Sequence, residues 1–121
     1  MQILLNTDPH TDGSHEMAQH LESVVHDALD RFGEAITRVE AHLADANSHV
    51  KAGPDDIFCT LEARLVGLDP VVARDHAGNA HQAIRGAVGK LQRAVSNALA
   101  KHDPRRYGAV PGGSAEASPG D

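Results

Sequence analysis

Residues 79–102 read NAHQAIRGAVGKLQRAVSNALAKH, and the fold turns on whether this stretch is a loop or a helix. Two glycines, Gly86 and Gly89, interrupt it, and Lys90 follows the second directly. A nucleotide-binding phosphate loop requires G-x-x-x-x-G-K followed by Ser or Thr, with the lysine opening a helix. Here Ile84 stands five residues before Gly89 and Leu91 follows Lys90, so both diagnostic positions fail. The G-x-x-G of GAVG does not make the backbone clamp of a KH domain either, because that clamp is a loop joining two helices. Instead Ile84, Val88, Leu91, Val95, Ala98 and Leu99 keep helical spacing straight through both glycines, and Pro104 stops the pattern just after His102. At about 100° per residue, Gly86, Lys90, Arg93, Asn97 and Lys101 form a stripe on the opposite side.

A helix with an apolar stripe needs an apolar surface to cover it, and the preceding residues supply the pattern of one. QILLNT, residues 2–7, is short, apolar and bounded by Asp8, Pro9 and Gly13, as a strand is. Ser14 is placed to cap a first helix in which Met17, Leu21, Val24, Val25, Ala28, Leu29 and Phe32 recur at spacings of three and four, ending near Gly33. TRVEAHLADA alternates, with Val39, Ala41 and Leu43 on one side and Arg38, Glu40 and His42 on the other. A polar loop containing Gly53 and Pro54 leads to IFCTLEARL, residues 57–65, which alternates again. Gly67 and Asp69 mark a tight turn into a fourth strand, PVVARD, closed by Gly78. The order β-α-β-β-β-α predicts an α+β two-layer sandwich: a four-stranded sheet with both helices on one face and the other face bare. The folded domain is expected over residues 1–103. Residues 104–121, dense in Gly, Pro, Ala and Ser and without periodicity, are expected to form a disordered tail.

Size and composition bound the function. A chain of 121 residues holds one domain with one modest core. No apolar run approaches the ~20 residues of a membrane helix, and the N-terminus carries no basic region followed by a signal-peptide core, so a soluble cytoplasmic protein without a membrane partner is expected. The single cysteine, Cys59, excludes an internal disulfide and a multi-cysteine zinc site. Phe32, Phe58 and Tyr107 are the only large aromatic residues, too few for base recognition by stacking. The net charge of −6 conceals an asymmetry: residues 1–78 hold fourteen acids against five bases. Residues 79–106 hold Arg85, Lys90, Arg93, Lys101, Arg105 and Arg106 against Asp103 alone. A concentrated basic face of this kind can bind phosphate on an otherwise acidic protein.

Two readings of the basic stripe stand side by side. Charges at this spacing commonly form a solvated helix face. Against that, the stripe has no acid at i±3 or i±4, and two interior glycines each cost roughly 1 kcal/mol relative to Ala, which close approach of a partner to Gly86 and Gly89 would explain. The nine histidines carry no H-x-H or H-E-x-x-H. The pairs His10/His15, His15/His20 and His76/His81 are five apart, a spacing that does not stack two imidazoles on one helix face. Ordinary surface titration is the reading, with a histidine-rich metal buffer as a lesser alternative. No Ser/His/Asp signature is present, and Cys59 falls on the apolar side of its strand. Neither an enzyme nor a cofactor is indicated.

The last helix resembles that of the short form of the ribosome hibernation-promoting factor family, also called ribosome-associated translation inhibitor A. Its pattern there, roughly D-M-Y-x-A-I-x-x-(apolar)-x-x-K-L-x-R-Q-L, meets Ala83 and Ile84, Lys90 and Leu91, and Arg93 in register. ALDRFGEAITRVEAHLAD is similar to the family's first-helix end and second strand, and the resemblance covers about residues 1–103. It implies a monomeric factor that binds the small ribosomal subunit in the channel of messenger and transfer RNA and blocks translation in stress or stationary phase. Basic side chains then meet rRNA phosphates: Lys90 and Arg93, extended by Lys101 and Arg31, with Arg85 on the same helix and Arg38, Arg64 and Arg74 from the bare sheet face. No DNA is implied, and the short form does not pair ribosomes through a C-terminal dimerisation domain. The first helix departs from the family's lysine-rich pattern, holding Glu16, Glu22, Asp27, Asp30 and Glu34 against Arg31 alone. That departure predicts weaker, more salt-sensitive ribosome association, or a basic protein partner for the acidic helix instead.

Overall fold

The computed structural model describes residues 1–8, 14–45 and 56–102. The elements follow in the expected order: β1 (Gln2–Thr7), α1 (His15–Leu29), a 3-10 segment (Asp30–Ala35), β2 (Ile36–Asp45), β3 (Ile57–Leu65), β4 (Val71–Ala77) and α2 (Ala80–His102). Pro9 to Gly13, the loop with Gly53 and Pro54, and the tail expected at 104–121 lie outside the described residues.

Ser14 caps α1 as its position suggests, its hydroxyl accepting from the Met17 N–H at 3.2 Å. α1 itself ends at Leu29, about one turn before the Gly33 signal, and the tighter 3-10 segment carries the chain onward. Gly33 reverses the backbone there with φ 58°, a conformation a side chain would oppose. Because a helix connects β1 to β2, the two strands lie parallel, with Ile3 opposite Val39 and Leu5 opposite Ala41. β2, β3 and β4 pair antiparallel, which makes the sheet mixed, in the order β1-β2-β3-β4. β4 runs two residues further than the sequence pattern reaches, to Ala77.

One face of the sheet is dry. Val39, Ala41 and Leu43 of β2, Cys59, Leu61 and Ala63 of β3 and Ala73 of β4 form a single core with Met17, Leu21, Val25 and Leu29 of α1, Phe32, and the α2 stripe. The α2 stripe is Ala83, Ile84, Ala87, Val88, Leu91, Val95 and Leu99, all buried. Among the described residues no polar or charged side chain is buried with them. α2 lies over β3 and β4, and α1 packs beside it toward β1.

The glycines of α2 have different surroundings. A Cβ at Gly86 would overlap the Asp75 carboxylate of β4, whereas at Gly89 the nearest atom is an Arg93 guanidinium nitrogen at 4.0 Å. The close approach at Gly86 is therefore made by the protein's own sheet edge, which replaces the expectation that a partner requires it. Helix propensity alone favours Ala over Gly by about 1 kcal/mol. Gly89→Ala is expected to raise stability by about that amount, while Gly86→Ala lowers it by about 1 kcal/mol because Asp75 must be displaced. Urea unfolding checks both, and Asp75→Ala combined with Gly86→Ala should be more stable than Gly86→Ala alone.

Candidate nucleic-acid interface

The eight basic residues that the sequence nominates do not share one surface. Arg38, Arg64 and Arg74 stand on the bare sheet face, since their strand neighbours Val39, Ala63 and Ala73 point into the core. Lys90 leans toward β4: its ammonium lies 3.4 Å from Asp75 Oδ1 and donates to the Arg74 carbonyl at 3.3 Å. Arg85, Arg93 and Arg31 border the seam between α1 and α2. Lys101 is exposed in the last turn of α2.

The α1–α2 seam forms a groove of two shallow parts that share Gln92. One part, about 340 Å³, is lined by His20, Ser23, Asp27, Arg85 and Gly89 among others. The second, about 330 Å³, is lined by Arg31, Arg93, Ser96 and Asn97. Arg31 sits 5.3 Å over the Phe32 ring centroid, a cation–π contact that holds its stem near the groove while leaving the guanidinium exposed. Among the described residues Arg31, Arg85, Arg93 and Lys101 make no ion pair. α2 holds no Asp or Glu from Ala80 to His102, so Arg85, Arg93 and Lys101 have no acid on their own helix.

On the opposite face the arginines have neighbours. Arg38 and Arg64 face each other across β2 and β3, and each approaches a glutamate two residues along its own strand, Glu40 at 3.9 Å and Glu62 at 3.8 Å. Glu40 also accepts from Asn6 at 2.9 Å. Phe58 stacks on His76, whose ring nitrogen is 2.9 Å from Asp56.

Asp75 completes the accounting of Lys90. Its carboxyl is held below the usual range, first by the His76 backbone N–H, which donates to Oδ1 at 2.8 Å, and further by Lys90. Lys90 thus already has a counterion, which the i±3 and i±4 rule misses because Asp75 is on another element. The same limit applies to histidine. His20 of α1 stacks on His81 of α2 with ring centroids 4.1 Å apart, a pairing that spacing along the chain does not reveal. Among the described residues no three His, Cys, Asp or Glu side chains come together as metal ligands.

A family model described as Sigma 54 modulation protein / S30EA ribosomal protein matches residues 7–103. The chain belongs to that family. The resemblance read from the last helix agrees with it, and the family is one of ribosome-associated modulation factors, generally non-enzymatic. No curated protein matches the chain in sequence. A ribosomal subunit interface protein from Coxiella burnetii has the same fold, with a TM-score of 0.68 at 15% identity, covering 83% of this chain and 99% of that one. The N-terminal domain of Protein Y from Thermus thermophilus gives 0.63 at 18% identity, covering 78% and 96%.

Cys59, the free thiol, has no place in such an interface. Burial in the core, with the Asp75 charge adding to it, pushes its pKa up to about 12. Thiolate is the reactive form, so at a pH of about 8 iodoacetamide should label native Cys59 at least about a hundredfold more slowly than the urea-unfolded chain. Mass spectrometry of timed samples measures the ratio.

Proposed function

We propose that this S30EA-family chain is a non-enzymatic cytoplasmic factor that binds the small ribosomal subunit in the channel of messenger and transfer RNA and restrains translation by occupying it. The observation that carries the reading is α2, a helix of 23 residues with four bases and no acid, exposed along the α1–α2 groove in a chain of this family. rRNA phosphates are the partners that chemistry fits: guanidinium groups that make no ion pair in the fold can neutralise phosphates, and each one neutralised releases ions condensed on the nucleic-acid backbone. Residues 1–103 act as the binding domain, as a monomer, with neither DNA nor a membrane as partner. Arg31, Arg85, Arg93 and Lys101 are the principal contacts. Lys90 contributes less, because it must first leave Asp75, and the sheet-face residues Arg38, Arg64 and Arg74 contribute least, the first two beside glutamates.

A second reading is favoured by α1 and the segment after it, where Glu16, Glu22, Asp27, Asp30 and Glu34 are exposed. Five acids on one side of the groove suit a basic protein segment. Cosedimentation with small ribosomal subunits over a salt series separates the two. The ribosome reading expects binding at low salt that weakens steeply as salt rises. Replacing Arg31, Arg93 and Lys101 by Ala should reduce the slope of log K against log salt by about one per residue, whereas Lys90→Ala changes it by less. Absence of binding at low salt would sink it.

A further inference from the structure

We propose that His20, His81 and Arg85 form a phosphate site at one end of the α1–α2 groove, and that an RNA phosphodiester entering it is bound together with a proton. The proposal deepens the ribosome reading and rests on it for the identity of the RNA.

The two imidazoles lie face to face across the helix seam, 4.1 Å between centroids and 20° between planes. His20 Nε2 is buried and has no side-chain partner among the described residues. A buried polar nitrogen in that position is suited to one further hydrogen-bonding group. The cavity that His20 lines, about 340 Å³, is also lined by Arg85, Ser23 and Asp27, and His81 joins it only through its stack on His20. It is roomy by comparison with the roughly 30 Å³ of one water. A phosphodiester there would accept from Arg85 and from protonated imidazole.

The charged groups around the pair decide the direction of proton flow. Arg85 faces it from α2 and Asp27 lines the same groove from α1. β1, against α1, carries no titratable side chain, and Asp30, Arg31 and Glu34 follow the far end of α1. Of the strands under α2, β3 turns Cys59 into the core and Glu62 and Arg64 to the bare face, and β4 directs Asp75 to Lys90 and His76 to Asp56. The His20 proton is held weakly, first because burial disfavours the charged ring, then because His81 and Arg85 repel it, although a backbone hydrogen bond at His81 opposes this. A phosphate offsets the Arg85 field and accepts from the imidazolium. The bound site therefore titrates higher than the free one and takes up a proton. Affinity should rise as pH falls through the bound-state pKa and be flat above it.

Two measurements test this on the full chain. Imidazole NMR titrations in inorganic tripolyphosphate, against chloride of equal ionic strength, should show the His20 titration moved to higher pH by the phosphate, with His26 moved less. Binding to small ribosomal subunits at fixed salt should tighten about three- to tenfold between pH of about 7.5 and 6.0, the change expected when about a third to two-thirds of a proton is taken up on average over that range. His20→Gln with His81→Gln should lose that pH dependence while keeping a cooperative thermal transition, and His26→Gln should keep it. An unmoved His20 titration overturns the site. An equal pH slope in the double variant, or wild-type binding that is flat or weakens on acidification, overturns the coupling. A moved titration without ribosome binding at any pH supports the phosphate site and instead defeats the ribosome reading.

Discussion

Seven side chains of α2, from Ala83 to Leu99, are sealed from water against the sheet and α1, and that burial sets every other surface of the molecule. Ile84, Val88, Leu91, Val95 and Leu99 each contribute about 1.5–3 kcal/mol when fully buried. Together these are of the order of the entire net stability of a small domain, about 5–15 kcal/mol. α2 has accordingly no freedom to rotate. Its remaining arc is divided by what lies beside it: on one side the β4 edge with Asp75, on the other α1. Lys90 is assigned to the first and Arg85 and Arg93 to the second by the geometry of the buried stripe, although all three look equivalent as exposed bases.

α1 is the other wall of the groove, and its acids give that wall the opposite sign. Of the five, Asp27 lines the groove, and Asp30 is engaged with His26 at 2.8 Å. Exposed pairs of this kind contribute about 0–1 kcal/mol and are screened by salt, so they orient charge more than they stabilise the fold. The result is a seam with Arg85 and Arg93 on α2, Asp27 on α1 and Arg31 just beyond it, and with His20 stacked on His81 across it. Small changes in the protonation of those histidines alter a nearly balanced field, whereas on a lysine-rich helix they would be lost in the excess.

The fold was largely legible in the sequence because its signals are local. The alternation in IFCTLEARL and the period of three and four from Ile84 to Leu99 depend on residues a few positions apart, and β3 and α2 follow them closely. The site was legible only in part, because its decisive contacts join distant residues. Lys90 is read as a free cation until Asp75, fifteen positions earlier, is folded beneath it. Gly86 suggests an external partner until the same carboxylate occupies its open side. His20 and His81 are sixty-one positions apart and meet only because α1 and α2 pack side by side. The parallel pairing of β1 has the same origin, since it follows from where α1 returns the chain rather than from the residues of β1.

The contrast between the two faces shows why a count of bases is a poor guide to an interface. The sheet face carries three arginines and the groove carries three, Arg31, Arg85 and Arg93. On the sheet, cross-strand register places Arg38 beside Arg64 and Glu40 beside Glu62, a pairing of like charges that is unfavourable unless each arginine also meets a glutamate along its own strand. The 3.9 and 3.8 Å contacts provide that compensation. A phosphate approaching Arg38 or Arg64 has to displace a carboxylate for each one it gains. Arg85 and Arg93 of α2 make no ion pair among the described residues, so no such exchange is required of them. Each phosphate they neutralise releases ions condensed on the nucleic acid, the main electrostatic gain on binding. Counterion availability, set by strand register on one face and by helix composition on the other, is what distinguishes the groove from an otherwise equally basic sheet.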